Sequence, residues 1–517
     1  GTISGHTGIA IASGHLSITG GTVSGSGAYV APTGSQNEIL DGAAVSIVEH
    51  NYPGGVPTAA ITGGTFTATG KDAKALHVYI YRNAVGVWLD CKDYVRVTAG
   101  TYSTDPSAYV ADGYEAAQED AFWYVRPAGS YIAEITWGDA SVKGHKYTSL
   151  SAAYAAINAV AETQGASKAY GTVKLLADVT LDQDLTIGTT GALQKLALNG
   201  HTLTLKGDHK LLVTGDKMVT IEGSGTIRSE SASADAYIAV VSNGAGLTIS
   251  GTGPSKKITL TGQKGVLTSG GFTVKKAVLD TVSDAVTAAA DCTAILTVDS
   301  GTVLKSEAGS CLVAANGSRS NAEVKFGSSM TSDGSADVIR WASSGTLQIK
   351  GGTFSGSAIL TKTDGTVSIS GGTYPIASKD ALSTYIAEGY TQQDQASGTT
   401  YTVKLPDVAV VTFANGTTKS CTSLSSALSA ANNKTGVKIT LVRDITEKAS
   451  GARMAGGTAE LDLAGHTITI TGTSSGYPAA ITLLRASKLT IEDSSAEQTG
   501  KLVAADSYCV NVGGTSE

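Results

Sequence analysis

The sequence predicts an all-β fold built from tandem parallel β-helices separated by short α/β capping inserts. Three observations predict it. First, short strands ending in a glycine pair and a hydroxyl residue recur, as Ile18-Thr-Gly-Gly-Thr-Val, Ile61-Thr-Gly-Gly-Thr-Phe, Val97-Thr-Ala-Gly-Thr-Tyr, Ile349-Lys-Gly-Gly-Thr-Phe and Ile369-Ser-Gly-Gly-Thr-Tyr. Second, aliphatic residues alternate with Thr or Ser in Leu203-Thr-Leu, Val219-Thr-Ile, Leu247-Thr-Ile and Ile258-Thr-Leu, which sends one side chain inward and the next to solvent. Third, one module is written twice. Tyr147-Thr-Ser-Leu-Ser-Ala-Ala-Tyr, Val173-Lys-Leu-Leu-Ala-Asp-Val-Thr and Leu196-Ala-Leu-Asn-Gly-His-Thr-Leu return as Cys421-Thr-Ser-Leu-Ser-Ser-Ala-Leu, Ile439-Thr-Leu-Val-Arg-Asp-Ile-Thr and Leu461-Asp-Leu-Ala-Gly-His-Thr-Ile. Internal repetition with glycine-punctuated strands is the mark of a repeat architecture.

The elements follow in chain order. Residues 1–104 read as the C-terminal part of a first β-helix, with one coil every ~20–25 residues. Ile18 and Ile61 lie two such periods apart on this reading. Residues 105–170 form a capping insert. Asp105, Pro106 and Gly113 bracket a short helix, Ala121-Phe-Trp-Tyr-Val is extended, and Ala133-Glu-Ile-Thr-Trp faces Lys146-Tyr-Thr in a hairpin. An amphipathic helix over 148–160 then carries Leu150, Ala153, Tyr154 and Ile157 on one face. Residues 171–377 read as a complete second β-helix. Residues 378–436 repeat the insert, with a helix ending at Gly389, a hairpin turning at Asn415-Gly416, and Leu424, Ala427, Leu428 and Ala431 on one helical face. Residues 437–517 begin a third β-helix. Such inserts have a physical purpose, because a stack of strands leaves raw edges and an open core at each end. A sandwich or barrel is disfavoured, since Asn-Gly and Asp-Gly pairs do not regularly separate the alternating runs.

Composition narrows the function classes. The 517 residues are 41% hydrophobic and 16% charged, with 63 Gly and only nine Pro, which is enough apolar side chain for a core. A net charge of -7 and the absence of Lys/Arg clusters argue against nucleic acid, and no apolar run approaches the ~18–20 residues of a membrane span. The five cysteines, Cys91, Cys292, Cys311, Cys421 and Cys509, form no CxxC pair and read as buried small hydrophobes. Cys292 and Cys311 are spaced to stack on neighbouring rungs. No cofactor or metal is expected. Both ends of the chain read as cuts through a continuing repeat.

The Gly-Gly-Thr-Phe/Tyr strand ends, Tyr-Val-Ala-Asp-Gly-Tyr (109–114), Tyr-Ile-Ala-Glu-Gly-Tyr (385–390) and the Thr-Ser-Leu to Leu-Leu-Ala-Asp-Val-Thr stretch resemble large surface proteins of Gram-positive gut commensals. These are similar in fold to the pectate-lyase-like superfamily. The resemblance implies right-handed parallel β-helices, an extracellular, cell-wall-associated location, and use as a stalk or adhesin with host glycans or host surface proteins as partners.

The fold class raises polysaccharide lyase or glycoside hydrolase as an alternative, and a passive glycan-binding module as another. Hydrolysis requires paired carboxylates, and lyases require acidic calcium ligands beside a base. Asp178, Asp182 and Asp184 form the densest acidic group, yet the second copy keeps only Asp444, opposite Asp178. His201 and His466 occupy matching Gly-His-Thr turns. Residues repeated in both copies point to the fold rather than to one active site, so no catalytic residue is assigned. Asp90 with Asp93, Asp216 and Asp299 make no constellation. The candidate ligand-binding residues are His77, Tyr79, Tyr81, Arg82 and Trp88. Alternation places His77, Tyr79 and Tyr81 on the face opposite Val78 and Ile80, and Tyr, Trp and Arg dominate binding hot spots. A turn folding back over this row, or the cap after residue 105, would cover it.

Overall fold

The computed structural model describes residues 1–30, 40–49, 54–80, 94–189, 193–448, 452–472, 479–505 and 507–513. The fold is all-β, 50% strand and 8% helix, with long parallel sheets. The chain divides into two compact units, Gly1–Leu382 and Ser383–Glu517.

In the first unit, each pass of the chain over 171–375 contributes one strand to each of three parallel sets. Strands Gly171–Leu175, Val179–Leu181 and Leu185–Ile187 pair in register with Gln194–Ala197, Thr202–Leu205 and Leu211–Val213, and so on upward. The register fixes a column of nine inward aliphatics: Val173, Leu196, Ile221, Ile249, Val274, Val298, Val324, Ile349 and Ile369. Every one of them is buried. A second column runs from Val179 through Leu203, Ile227, Leu260, Leu279 and Leu304 to Met330 and Phe354. The third set is an eight-stranded parallel sheet ending at Leu360–Lys362. Side chains repeat with period two along each strand, so the residue facing the core on one pass sits directly over the core residue of the pass before.

The passes are less uniform than the sequence period suggests. Ile221 and Ile249 are adjacent rungs although 28 apart in sequence, because residues 230–236 bulge out as a loop. The larger correction is in the first 104 residues, where Ile18 pairs directly with Ile61, and Ile61 with Val97. What reads as two periods is one pass. Backbone pairing constrains only the strands, and the connections between them are free to grow.

The Gly-Gly-Thr-aromatic strand ends close both stacks of the first unit. At Gly100 and Gly372 the backbone has φ of +124° and +110°, and a Cβ there would collide with the hydroxyl of Tyr102 at 2.8 Å or Tyr374 at 2.7 Å. Only glycine serves both needs. Each tyrosine folds back over its own corner and donates to a corner carbonyl, Tyr102 to Ala99 at 3.0 Å and Tyr374 to Gly371 at 2.7 Å. Each also stacks on the phenylalanine one rung below: Phe66 with Tyr102 at 4.9 Å, and Phe354 with Tyr374 at 4.8 Å between centroids. A Phe-then-Tyr pair therefore marks the last two rungs.

Caps follow. After Tyr102, Asp105 accepts from the backbone N–H of Ser107 and opens the 3-10 turn Ser107–Tyr109. Strands Tyr114–Glu119 and Phe122–Pro127 form a hairpin whose second strand pairs antiparallel with Gly100–Tyr102. The sequence reading missed the first of these strands. The turn between them places Asp120 at φ +49° with no Asn-Gly or Asp-Gly signal. Strand Ala133–Gly138 then pairs with both Lys146–Tyr147 and Gly171–Leu175, so an antiparallel strand covers the exposed edge of the first pass.

Helix Leu150–Gln164 begins at Ser149, whose hydroxyl accepts from the N–H of Ala152, and buries Leu150, Ala153, Tyr154 and Ile157. Tyr154 donates to the carbonyl of Lys195, tying the helix to the second pass. The second unit repeats this plan. Ala409–Thr412 lies between Thr418–Cys421 and Lys434–Leu441, and helix Leu424–Ala430 starts at Ser423 and buries Leu424, Ala427 and Leu428. Three parallel sets of three strands each then follow, if the antiparallel edge is set aside.

Cys292 and Cys311 are both buried but do not stack on each other. Cys311 is aligned with Ala285 and Val338, whereas Cys292 lies against Gly270 and Ser318, because the intervening residues carry the chain from one set to another. Among the described residues no helix is long and apolar enough to cross a membrane.

Truncating Leu150 or Leu424 to Ala is expected to cost about 2–5 kcal/mol, read from the urea midpoint of the unit that carries it; an unchanged midpoint would remove the helix from the core. Tyr374→Phe, which keeps the stack and loses the hydroxyl bond, is expected to cost about 1 kcal/mol, against about 3–5 for Tyr374→Ala. Equal losses would show that the ring stack contributes nothing.

Candidate functional site

Polar side chains gather at several places among the described residues, and the chain arrives at each differently. The first is the row expected at 77–88. Tyr81, Arg82 and Trp88, like Asp90, Cys91 and Asp93, lie outside the described residues. His77 and Tyr79 belong to strand Leu76–Ile80, which pairs with Val45–Glu49, and Val78 packs toward the core as expected. His77 is nevertheless covered. Its Nδ1 is 2.7 Å from Oδ2 of Asp41, a fully buried carboxylate that also accepts from Ser46 Oγ at 2.6 Å, Ala43 N–H at 3.0 Å and Thr7 Oγ1 at 3.1 Å. Tyr29 meets the His77 ring edge-on at 5.5 Å. Burial alone would raise the Asp41 carboxyl, but the hydrogen bonds from His77, Ser46 and Ala43 outweigh it and hold it below the ordinary value. The segment carrying Asp41 folds back over the outer face of the sheet. Tyr79 remains half-exposed beside it.

The second place is the duplicated Asp/His turn. Asp178 Oδ1 accepts from Thr202 N–H at 2.8 Å with His201 Nδ1 at 3.4 Å. Asp444 Oδ1 accepts from Thr467 N–H at 2.8 Å with His466 Nδ1 at 3.4 Å. The same bonds at the same lengths, in two copies, fasten one corner to the strand on the next pass. Asp184 does a similar job for the next corner, accepting from Lys210 N–H. No group of three or more His, Cys, Asp or Glu able to hold a metal ion occurs among the described residues.

The third place was not legible beforehand. On the outer side of the second stack a groove of about 500 Å³ is lined by Arg228, Thr261, Asp280, Lys305, Glu307 and Asp333, among others. It is assembled from five passes. Arg228, Thr261, Asp280 and Lys305 follow one another in register. Its carboxylates are exposed; Lys305 pairs with Asp333 at 3.5 Å, and Arg228 with Glu230 at 2.7 Å at its rim. Here solvent reaches all three carboxylates, and a lysine and an arginine stand among them. The arrangement suits contact with a polar chain more readily than proton transfer to one. Residues spaced 19 to 33 apart give no sequence motif, so only the register could reveal the groove.

In the second unit, carboxylates fasten loops. Asp493 accepts from the N–H groups of Gly465 at 2.7 Å, Ser495 at 3.1 Å and Gly500 at 2.6 Å, and Asp462 accepts from Ala464 and Ser494. For Asp493, desolvation acts upward but these donors prevail and bring it down to about 2.

No protein-family model, curated protein or solved structure matches the chain.

The Asp493 geometry sets an acid limit. Its folded-state value is below the ordinary 3.8, so its stabilising contribution is complete above about pH 4 and is lost as pH falls toward 2. The thermal midpoint of the second unit should drop through this window, and Asp493→Asn should flatten that drop while lowering the midpoint at neutral pH. A variant with the parent's acid profile would show that the carboxylate does not hold the loop.

Proposed function

We propose that the chain is a segment of tandem right-handed parallel β-helices that works without catalysis at a bacterial cell surface, as a stalk or adhesin module. On this reading each stack adds length and surface, and its ligands are host glycans or host surface proteins. The observation that carries it is the pair of Asp/His turns. The acid-base residues most suggestive in sequence make identical corner bonds in both copies, and one active site does not need two copies of its base.

The regular in-register columns, closed at their ends by antiparallel strands and amphipathic helices, support a β-helical architecture. The outer faces they present are polar and long, which suits adhesion to extended ligands. A second reading, polysaccharide hydrolase or lyase, is favoured by one observation, the groove that gathers Asp280, Glu307 and Asp333.

Incubation with pectins, mucin glycans and plant polysaccharides, with and without calcium, decides between them. The expected result is no new reducing or unsaturated ends above background. Release of such ends, abolished by Glu307→Gln or Asp280→Asn, would replace the non-catalytic reading with the enzymatic one.

A further inference from the structure

One outer face of the second stack gathers its alternating polar residues into a continuous row. Directly beside the buried column lies an outward one, in unbroken register: Thr172, Lys195, Thr220, Thr248, Thr273, Thr297 and Glu323. Four consecutive rungs are threonine. They span about 14 Å, at about 4.8 Å per rung. Each of the four is half-exposed, and among the described residues none has a side-chain hydrogen bond within the protein. Neighbouring threonines elsewhere do bond to each other, as Thr346 and Thr366 do at 2.7 Å. The four hydroxyls are therefore available to something outside.

The row has a built end. Trp137 is the register partner of Thr172 on the capping strand and is 43% exposed. Its ring rests on Tyr170, 4.7 Å between centroids, with the Lys195 ammonium 5.8 Å from it, so the indole is fixed in place and still offers a face. Along one flank, two positions two residues before the threonines are glycines, Gly246 and Gly271, with Met218 laid across the first and Ile295 exposed beyond the second. That flank is low and apolar. On the other flank Glu222 is paired with Lys195 and Asp299 with Lys325, and exposed Lys275, two residues after Thr273, is the one charged side chain beside the four threonines with no ion pair among the described residues.

We infer that this strip, from Trp137 to Thr297, binds a neutral, extended polysaccharide lying along the stack axis. The inference rests on the adhesin reading and gives it a surface and a ligand class. A pyranose chain presents the chemistry the strip lacks: ring C–H faces for the indole and the apolar flank, and hydroxyls at regular intervals for the threonine row. Polar groups in such sites fix orientation while apolar contacts supply area. The strip offers hydroxyls, an indole and an apolar flank, with Lys195 held by Glu222 and Lys275 the one cation left over, so it matches a chain recognised through neutral groups better than a uronic-acid chain, which carries a carboxylate on every residue.

The test uses the whole chain in affinity gel electrophoresis through neutral β-glucan, xylan and mannan, with polygalacturonate as the charged comparison. Parent protein should be retarded by at least one neutral polymer. Trp137→Ala should weaken that retention at least tenfold. The double variant Thr248→Val/Thr273→Val, which removes two hydroxyls while keeping the β-branched shape the sheet favours, should do the same with an unchanged thermal midpoint. Retention only by polygalacturonate, no retention by any neutral polymer, or variants retained like the parent would each overturn the strip. None of these outcomes bears on the non-catalytic reading, which product release alone decides.

Discussion

Everything in this protein depends on parallel backbone pairing held in register from one pass to the next. Once strand is fixed to strand, every residue is committed to a column, and a column has one environment along its whole length. Val173 through Ile369 are all apolar and buried, and each one inside the column sits between two others. A single polar substitution there would be buried without a partner, at a cost the neighbouring rungs could not relieve. The same rule makes outer columns continuous surfaces. A groove or a hydroxyl row spanning several passes needs no sequence motif, only one suitable residue per pass.

That rule also explains what could be read from the sequence and what could not. The alternation in Leu247-Thr-Ile or Ile258-Thr-Leu gave the strands directly, since period two is local. The helices at Leu150 and Leu424 were equally plain, because a four-residue apolar stripe after a Ser cap needs no distant partner. The Gly-Gly-Thr ends were visible as corners. Their aromatic residues were not read as terminators, although Phe66 before Tyr102 and Phe354 before Tyr374 keep the same order in both stacks.

Apart from the unsignalled turn at Asp120 and the aromatic corners, the failures were non-local. The interval from Ile18 to Ile61 looked like two passes because sequence distance measures loops as well as strands. His77 looked outward-facing by alternation, and it does leave the core; the Asp41 segment that covers it lies 36 residues earlier and carries no signal of its destination. The groove at Asp280, Glu307 and Asp333 was invisible for the same reason, while Asp178 and Asp184, close in sequence, are sent to different corners.

The bonds between passes all run along the direction in which the passes pile up. A load along that direction is carried by every row in series, but a row at the end can peel away where one in the middle is held from both sides. Resistance is then set by whatever secures the last row, not by the number of rows. At the end of the 171–375 stack that fastening is the backbone pairing of the last strand together with one tyrosine ring flat against a phenylalanine, its hydroxyl pinned to its own corner. Lengthening the pile would extend its reach without strengthening it, and that fastening would determine when it begins to peel.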